Sequence, residues 1–347
     1  PGNSSPNRRR AFSVRFVGDD ATFAKRKGEV SPPFPEVKLK HGDKMNSPSF
    51  PEIKVWYYMK IKILISIYND WQSAYKLLEN IDSAIKALED EISVIIINDA
   101  STESRPAFNL NLNNIKSLKV INMKKNKGHA RCNAAGLKYI NEKENFDYVI
   151  PMDGDGEDRP EEIKLLIEKT KDYPNTVITA DRVKRSEGFI FKICYFIHKY
   201  LTFTFTGKSI KYGNYTCIPK HAVAKMVEEA STWSSFSGSL AKSVKEKRSV
   251  PSVRGYRYFG PSKMSFFNLV KHSLSIIAVF KMTVLIRSII FLAVYFFLIS
   301  EHISLITLIP VILIILLIIL IFIFSKRENI NELRNSLENI TNVENLR

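Results

Sequence analysis

The unbroken apolar run "ISLITLIPVILIILLIILIFIF", Ile303 to Phe324, limits what this chain can fold into more than any other stretch. It carries no charge and is long enough to cross a bilayer, which asks for about 20 apolar residues in a helix. Pro310 within it is tolerable, because neighbouring groups in a membrane bundle re-satisfy the freed backbone. A buried hairpin of a soluble protein is the competing reading, and the length of the run argues against it. A second apolar segment, Val284 to Ser300, precedes it across a loop of little more than Glu301-His302. Lys281 and Arg287 lie before the pair and Ser325-Lys326-Arg327 after it, so both ends are expected on the cytoplasmic side. Arg287 is close enough to the start of its segment to snorkel. Upstream, "MSFFNLVKHSLSIIAVFK" has the basic and aromatic pattern of an amphipathic helix lying in the membrane interface. These signals predict an interfacial helix over 264–283, a two-helix membrane hairpin over 284–324, and a cytoplasmic helical tail over 325–347. The tail places Ile330, Leu333, Leu337, Ile340 and Leu346 at roughly helical spacing. It could pair helices in a homo-oligomer, lie on the membrane, or pack on the domain.

Ahead of this hairpin, residues 59–263 alternate between two patterns. "IKILISIY", "ISVIIIND", "SLKVINM", "FDYVIPMD" and "NTVITA" are short apolar runs. "WQSAYKLLENIDSAIKALEDE", "NKGHARCNAAGLKYINEK" and "RPEEIKLLIEKTKDY" have helical periodicity. Strands alternating with helices through short loops predict an α/β fold, a mostly parallel sheet with helices on both faces. Runs as continuous as "SVIII" fit strands buried on both sides. Ligands of such sheets sit outside the carboxyl ends of the strands. Three strand ends carry polar groups there: Tyr68-Asn69-Asp70, Asn98 to Thr102, and Asp153 to Asp158.

The chain has 51 Lys and Arg against 35 acids, a formal charge of +16, which suits a polyanionic partner such as an anionic membrane face or a phosphorylated ligand. Nucleic acid is not expected, since the basic residues are dispersed and no zinc, RRM or helix-turn-helix signature is present. Cys132, Cys194 and Cys217 form no CxxC pair and are expected as reduced, buried thiols.

In so basic a chain, "DGDGEDRPEE" gathers acids at one strand end. Asp153 and Asp155, separated by Gly154, can aim two hard oxygen ligands at one point. Mg²⁺ or Mn²⁺ takes one or two carboxylates and fills its remaining positions with phosphate oxygens and water. Pro160 suits the first turn of a helix, so Glu161 and Glu162 are expected to be helix-start acids rather than catalytic ones.

Residues from Lys60 to about Phe280 resemble the family 2 glycosyltransferases of GT-A fold. The matching segments are "SIYND", "IINDASTE", "NKGHARCNAAGL" and "MDGDGEDRPEE", in the family's order and spacing. The resemblance implies that Tyr68, Asp70 and Asp99 hold the base and ribose of a UDP- or GDP-linked sugar. It implies that Gly128 allows close approach and that Arg131 faces the nucleotide phosphates. Asp153, Asp155 and Glu157 would bind the metal, with Asp155 the principal catalytic residue through it. Without the resemblance, Tyr68 and Arg131 would read equally well as helix-start packing and a solvated charge.

A GT-A domain followed by an interfacial helix and two spans resembles the polyprenyl-phosphate (dolichyl-phosphate-type) glycosyltransferases, whose R-x-x-G-x-S-K element is similar to "RYFGPSK". The resemblance implies Arg257, Ser262 and Lys263 as phosphate contacts, with Arg182 of "TADR" in the place of that subgroup's arginine. A juxtamembrane basic patch facing anionic lipid is the alternative for Arg257 and Lys263. A polyprenyl phosphate is already ionised and needs no base, whereas a sugar hydroxyl does. No counterpart of the E-D pair that often supplies such a base follows "VEEASTWSSFSG". One departure opposes this subgroup: "SIKYGNYTCIPK" lacks the Asp and Arg of the usual D-x-x-S-G-F-R. Transfer to a glycan hydroxyl in surface polysaccharide or lipid-linked oligosaccharide synthesis is the second reading, and an inactive membrane scaffold the third.

Residues 1–58 are rich in Pro, Gly, Arg and Lys and are expected to be poorly structured. Their "RRAFSVRFVGDDA" and "SPPFP" resemble the C-terminal end of phytanoyl-CoA-dioxygenase-like oxygenases, in which Arg10 or Arg15 would match a co-substrate-binding arginine. The His-x-Asp iron ligands are absent, so the segment is expected to be a remnant, with Met59 opening the functional protein.

Overall fold

The runs "IKILISI" and "ISVIII" offer no solvent face, and in the computed structural model both become central strands covered on two sides. The structure describes residues 21–24, 38–44, 58–184, 189–261 and 265–347, without the side chains of 184, 189–195 and 198. The chain divides into two compact units, residues 1–57 and 58–347. In the first, Thr22 and Lys44 form an antiparallel bridge beside a turn in which the Lys40 N–H donates to Asp43 Oδ2 (2.7 Å). Arg10 and Arg15 lie outside the described residues.

The second unit begins with β1 (Lys60–Ile67), α1 (Trp71–Ala84), β2 (Glu91–Asn98), β3 (Leu118–Met123), α2 (His129–Lys143) and β4 (Tyr148–Asp153). A 3-10 turn (Pro160–Glu162) leads into α3 (Ile163–Asp172), β5 (Val177–Lys184), α4 (Phe189–Thr206), β6 (Thr216–Pro219), α5 (Lys220–Val227), α6 (Phe236–Ser243) and β7 (Lys247–Val253). Then come α7 (Phe266–Ala278), α8 (Lys281–Ile299), α9 (Leu305–Ser325), the short α10 (Ile330–Arg334) and β8 (Ile340–Asn345).

The sheet runs β7-β5-β6-β4-β1-β2-β3-β8. Its centre, β4-β1-β2-β3, is parallel, while β6 and β8 are antiparallel to their neighbours. Side chains alternate between two cores. Ile61, Ile63, Ile65 and Ile67 of β1 pack on one face with Leu77, Leu78 and Ile81 of α1. Leu64 turns to the other face, against Leu137 and Ile140 of α2. Helix α1 buries Trp71, Ala74, Leu77, Leu78 and Ile81, the three-and-four spacing of one helical stripe. Asp82 at its end accepts the backbone N–H groups of Asn113, Asn114 and Ile115, tying down the loop into β3. Burial alone would raise its carboxyl, but these three donors hold it below the usual range.

Helices α8 and α9 have mean hydropathies of 2.4 and 3.6, and only 17% and 11% of their most apolar windows are buried. Core helices of a soluble protein would be mostly buried, so these two are long, apolar and exposed enough to cross a membrane. Helix α7 exposes Phe266 and Phe267 at its start and buries Ile276 to Ala278 at its end.

The tail is not the helix its spacing suggests. Helix α10 covers five residues, a 3-10 turn follows (Ser336–Asn339), and Ile340–Asn345 becomes β8, antiparallel to β3. Ile340, Thr341 and Val343 are β-branched and favour a strand, and the open edge of β3 supplies hydrogen-bond partners that no local pattern reveals.

Candidate active site

Strand pairing brings the polar strand ends to one edge. Ile67 stands opposite Asn98, Asn98 opposite Asn122, and Ser66 opposite Asp153. Just beyond β1, Asn69 takes a left-handed backbone (φ 50°) held by the neighbouring loop. Its N–H donates to Ser101 Oγ (2.9 Å), and its Oδ1 accepts the N–H groups of Thr102 (2.8 Å) and Glu103 (3.1 Å). Tyr68 is left exposed beside this junction. Asp99, expected at the base or ribose, is buried and accepts the N–H groups of Lys127 (2.9 Å) and Gly128 (2.8 Å). Burial outweighs those donors and raises its carboxyl above the usual range. Its visible work is to shape the turn where Gly128, at φ 90°, opens α2. No atom lies within 4 Å of where a Gly128 Cβ would stand, so the backbone angle, not crowding, calls for glycine there.

The acids follow from β4. Asp153 Oδ1 accepts from Asn214 Nδ2 (3.1 Å) and lies 3.3 Å from His129 Nε2. Burial opposes its charge, but the His129 contact and the charges of Arg254 and Arg182 outweigh it and hold the carboxyl well below normal. The same carboxylates, led by Asp153, raise the His129 imidazole against the effect of burial. Asp155 is pushed up to about 6 by burial and by the charge of Asp153, although Arg257 and Arg254 pull the other way. Asp158 is pushed up to about 7 by burial and by Asp153, with Arg182 opposing. Asp158 Oδ2 accepts the Asp153 N–H (3.0 Å), and its Oδ1 lies 3.7 Å from Arg182.

A segment after β7 is laid across this loop. The Gly255 N–H donates to Glu157 O (2.8 Å) and the Tyr258 N–H to Asp155 O (2.9 Å). The Tyr258 hydroxyl accepts from Asn80 Nδ2 (2.7 Å), and its ring covers Gly156, which takes φ 90°. The segment delivers two cations. Arg254 pairs with Glu157, and Arg257 bridges Asp70 and Asp155, with Nη1 2.9 Å from Asp155 Oδ2.

This arrangement fits a divalent cation. Two half-buried carboxylates, one raised by burial and by the other's charge, form an oxygen donor pair short of positive charge, and a guanidinium fills part of that deficit. Among the described residues no three His, Cys, Asp or Glu side chains form a ready cage. Mg²⁺ and Mn²⁺ do not require one when a diphosphate supplies oxygens.

Of the residues expected here, Asp70, Asp153, Asp155, Glu157, Arg182 and Arg257 do converge. Arg257 and Glu157 do so in partnerships the sequence did not suggest: Arg257 holds carboxylates, and Glu157 holds Arg254. Arg131 lies with its guanidinium 5.7 Å over the Trp233 ring, and the cations that dominate at Asp153 are His129, Arg254 and Arg182. Ser262 and Lys263 are outside the described residues. His129, Asn214, Arg254 and Tyr258 were not anticipated. Their signals were faint: His129 follows the helix-opening Gly128, and Asn214 lies in the segment noted for lacking a carboxylate.

Residues 62–227 match the family model "Glycosyl transferase family 2". The chain is similar to the undecaprenyl-phosphate 4-deoxy-4-formamido-L-arabinose transferase of Photorhabdus laumondii subsp. laumondii, 29% identical over 231 residues. The protein of the same name from Klebsiella pneumoniae is 26% identical over 231 residues. Each match covers 64% of this chain and 66% of the relative, so the chain spans just under two thirds of their length. Among solved structures, one similar to it is the glucosyl-3-phosphoglycerate synthase of Mycobacterium tuberculosis in complex with Mn²⁺, uridine diphosphate and phosphoglyceric acid. The identity is 12% and the TM-score 0.47, with coverage of 65% of this chain and 78% of that one. Residues 62–227, just under half of the chain, are thus similar to the glycosyl transferase family 2.

Proposed function

We propose that this protein is a membrane-bound inverting glycosyltransferase that moves a sugar from a nucleotide-sugar to a polyprenyl phosphate. The observation that carries the reading is the half-buried Asp153–Asp155 pair at the polar edge of the sheet's parallel centre, in a chain that continues into two exposed apolar helices. The names of the curated relatives, undecaprenyl-phosphate sugar transferases, support the acceptor. Tyr68, Asp70 and Asp99 are assigned to the base and ribose side of a UDP- or GDP-linked donor, with Gly128 giving room for close approach and Arg131 on the phosphate side. Asp153, Asp155 and Glu157 would hold Mg²⁺ or Mn²⁺, which when bound would stabilise the charge of the departing nucleoside diphosphate. Arg182 and Arg257, with Ser262 and Lys263, are assigned to the phosphates; Arg257 reaches them by leaving its carboxylates.

The acceptor phosphate oxygen attacks the anomeric carbon as the bond to the nucleoside diphosphate breaks. The acceptor brings no proton that must be removed, so no general base is needed. The catalytic unit and both termini are assigned to the cytoplasmic side, from the basic residues flanking the hairpin. The test uses membranes containing the protein, polyprenyl phosphate, Mn²⁺ or Mg²⁺ and a panel of radiolabelled nucleotide-sugars. Metal-dependent label in the lipid fraction, absent with Asp155→Asn, is the expected result. Donor hydrolysis without lipid labelling would move the acceptor to a glycan; absence of donor binding would leave a scaffold.

A further inference from the structure

A cavity of about 320 Å³ lies between the segment that follows α4 and the region from α6 into β7. Its lining includes Lys208, Lys242, Lys245 and Lys247 and no acidic side chain. Lys242 reaches out to Glu229 (2.9 Å), and the Lys247 ammonium donates to the Val244 carbonyl. Lys208 and Lys245 have no ion pair among the described residues, and the Tyr212 hydroxyl in the same wall is buried without a partner. Burial, then the charge of Lys208, lowers the Lys247 ammonium from its ordinary value. Ammonium groups gathered around a hollow without a carboxylate make a place for an anion.

Ser209 joins this cavity to a second groove of about 240 Å³ along α4, lined by Phe196, Lys199, Tyr200 and Phe203, three of the four aromatic. Those three rings are 69%, 64% and 59% exposed, far more than a helix of a soluble domain would leave open. Arg287, near the start of α8, donates to the carbonyls of Phe203 (3.4 Å) and Thr204 (2.8 Å) in the last turn of α4. That contact fixes the groove at the level where the first apolar span begins. The hollow is therefore cationic at one end and aromatic at the other, at the height of lipid headgroups.

We propose that the lysine-lined cavity binds the phosphate head of an anionic membrane lipid, whose chain lies along Phe196, Tyr200 and Phe203. The inference rests on the membrane placement of α8 and α9 and not on the identity of the sugar acceptor. None of these side chains is among those gathered at Asp153 and Asp155.

The test titrates the full chain in a neutral detergent with dihexanoyl phosphatidic acid, dihexanoyl phosphatidylcholine and inorganic phosphate, by calorimetry. Phosphatidic acid should bind at least about tenfold more tightly than phosphatidylcholine, since each basic contact to a lipid phosphate is worth roughly a factor of five, and more tightly than inorganic phosphate, which has no chain to lie on the rings. Lys208→Gln with Lys245→Gln should remove that preference, and Tyr200→Ser with Phe203→Ser should bring the lipid down to the level of inorganic phosphate. Both pairs are exposed, and unchanged nucleotide binding with Mn²⁺ serves as the folding control. Equal binding of phosphatidylcholine, equal binding of inorganic phosphate, or indifference to the lysine changes would each overturn the proposal. Loss of lipid labelling in the transferase assay with this binding intact would refute the acceptor reading alone.

Discussion

Arg257 occupies Asp155, one of the carboxylates assigned to the metal, so Arg257→Ala should make the nucleotide-free site bind Mn²⁺ more tightly. In the structure the guanidinium bridges Asp70 and Asp155, with side-chain exposures of 12% for the arginine and 17% and 20% for the acids. A charge-assisted hydrogen bond in such a place contributes about 1.5–3 kcal/mol. A metal that must displace it forgoes that amount, and removing the arginine returns it. At 1.4 kcal/mol per factor of ten, Mn²⁺ affinity without nucleotide should rise roughly 10- to 100-fold.

The same substitution leaves Asp70 and Asp155 without their shared cation. Asp155 can take up a proton, which limits the cost to about 2 kcal/mol instead of the 3–5 typical of a broken buried pair. For a unit of this size, the variant should melt roughly 4–8 °C below the parent without metal. Added Mn²⁺ should restore more of that stability in the variant than it adds to the parent. Arg257→Lys keeps a charge but not the fork that reaches two carboxylates, and should fall between. The free Mn²⁺ signal in electron paramagnetic resonance gives the affinity, and a melting curve gives the stability. If Arg257→Ala binds Mn²⁺ no better than the parent, the arginine does not stand in the metal's place.

Three further outcomes are expected. Gly156→Ala forces a left-handed backbone on alanine and puts a Cβ 2.4 Å from the Tyr258 ring, so the 254–258 segment should lift; faster tryptic cleavage after Arg254 and Arg257 is the measurement. Asp155 and Asp158, raised to about 6 and about 7, keep their protons in the folded protein above the pH at which the unfolded chain loses them. Stability of the metal-free protein should therefore decline as pH rises from about 4 to about 7, and Asp158→Asn should flatten that decline in urea midpoints. Truncation after Asn339 removes β8 and bares the edge of β3, so the protein should self-associate on light scattering.

The parallel centre of the sheet was legible because β1, β2 and β4 are apolar runs that end in polar residues, a pattern complete within each segment. The two long apolar helices were legible for the same reason, since composition over one window decides them. What stayed hidden depends on partners far along the chain. Arg257 and Asp155 are 102 residues apart, and a motif identifies the arginine without naming the carboxylate it meets. Asn214 and His129 sit 85 positions apart and meet only once β4, α2 and the segment before β6 are assembled. Helix α4 escaped notice because "FIFKICYFIHKYLTFTFT" is apolar and aromatic nearly all round and belongs to neither the sheet nor the spans.

The strand order also says how the sheet is joined to the two apolar helices. The outermost strands are β7 and β8, and the chain between them is α7, the two apolar helices and α10. Each edge of the sheet is thus joined to the membrane segment by a short connection. On the β8 side, Leu333 packs with Ala134 and Trp233 and the Trp233 N–H donates to Glu332, which fixes α10 to α2. On the β7 side, the connection is the segment that lies over Asp155 and Glu157 before entering α7. A sheet tethered at one edge could swing about that edge, whereas one tethered at both is held against the two apolar helices. The asymmetry matters: the β8 tether is packed on the core, whereas the β7 tether lies on the acidic loop through Tyr258, two backbone hydrogen bonds and the Arg254 and Arg257 ion pairs, and a metal competes with those ion pairs. Movement at the site should then be transmitted to α7 and not to α10. Hydrogen exchange on adding Mn²⁺ and nucleotide should change at residues 254–261 and in α7 while α10 and β8 stay protected; equal change at both edges would refute the asymmetry.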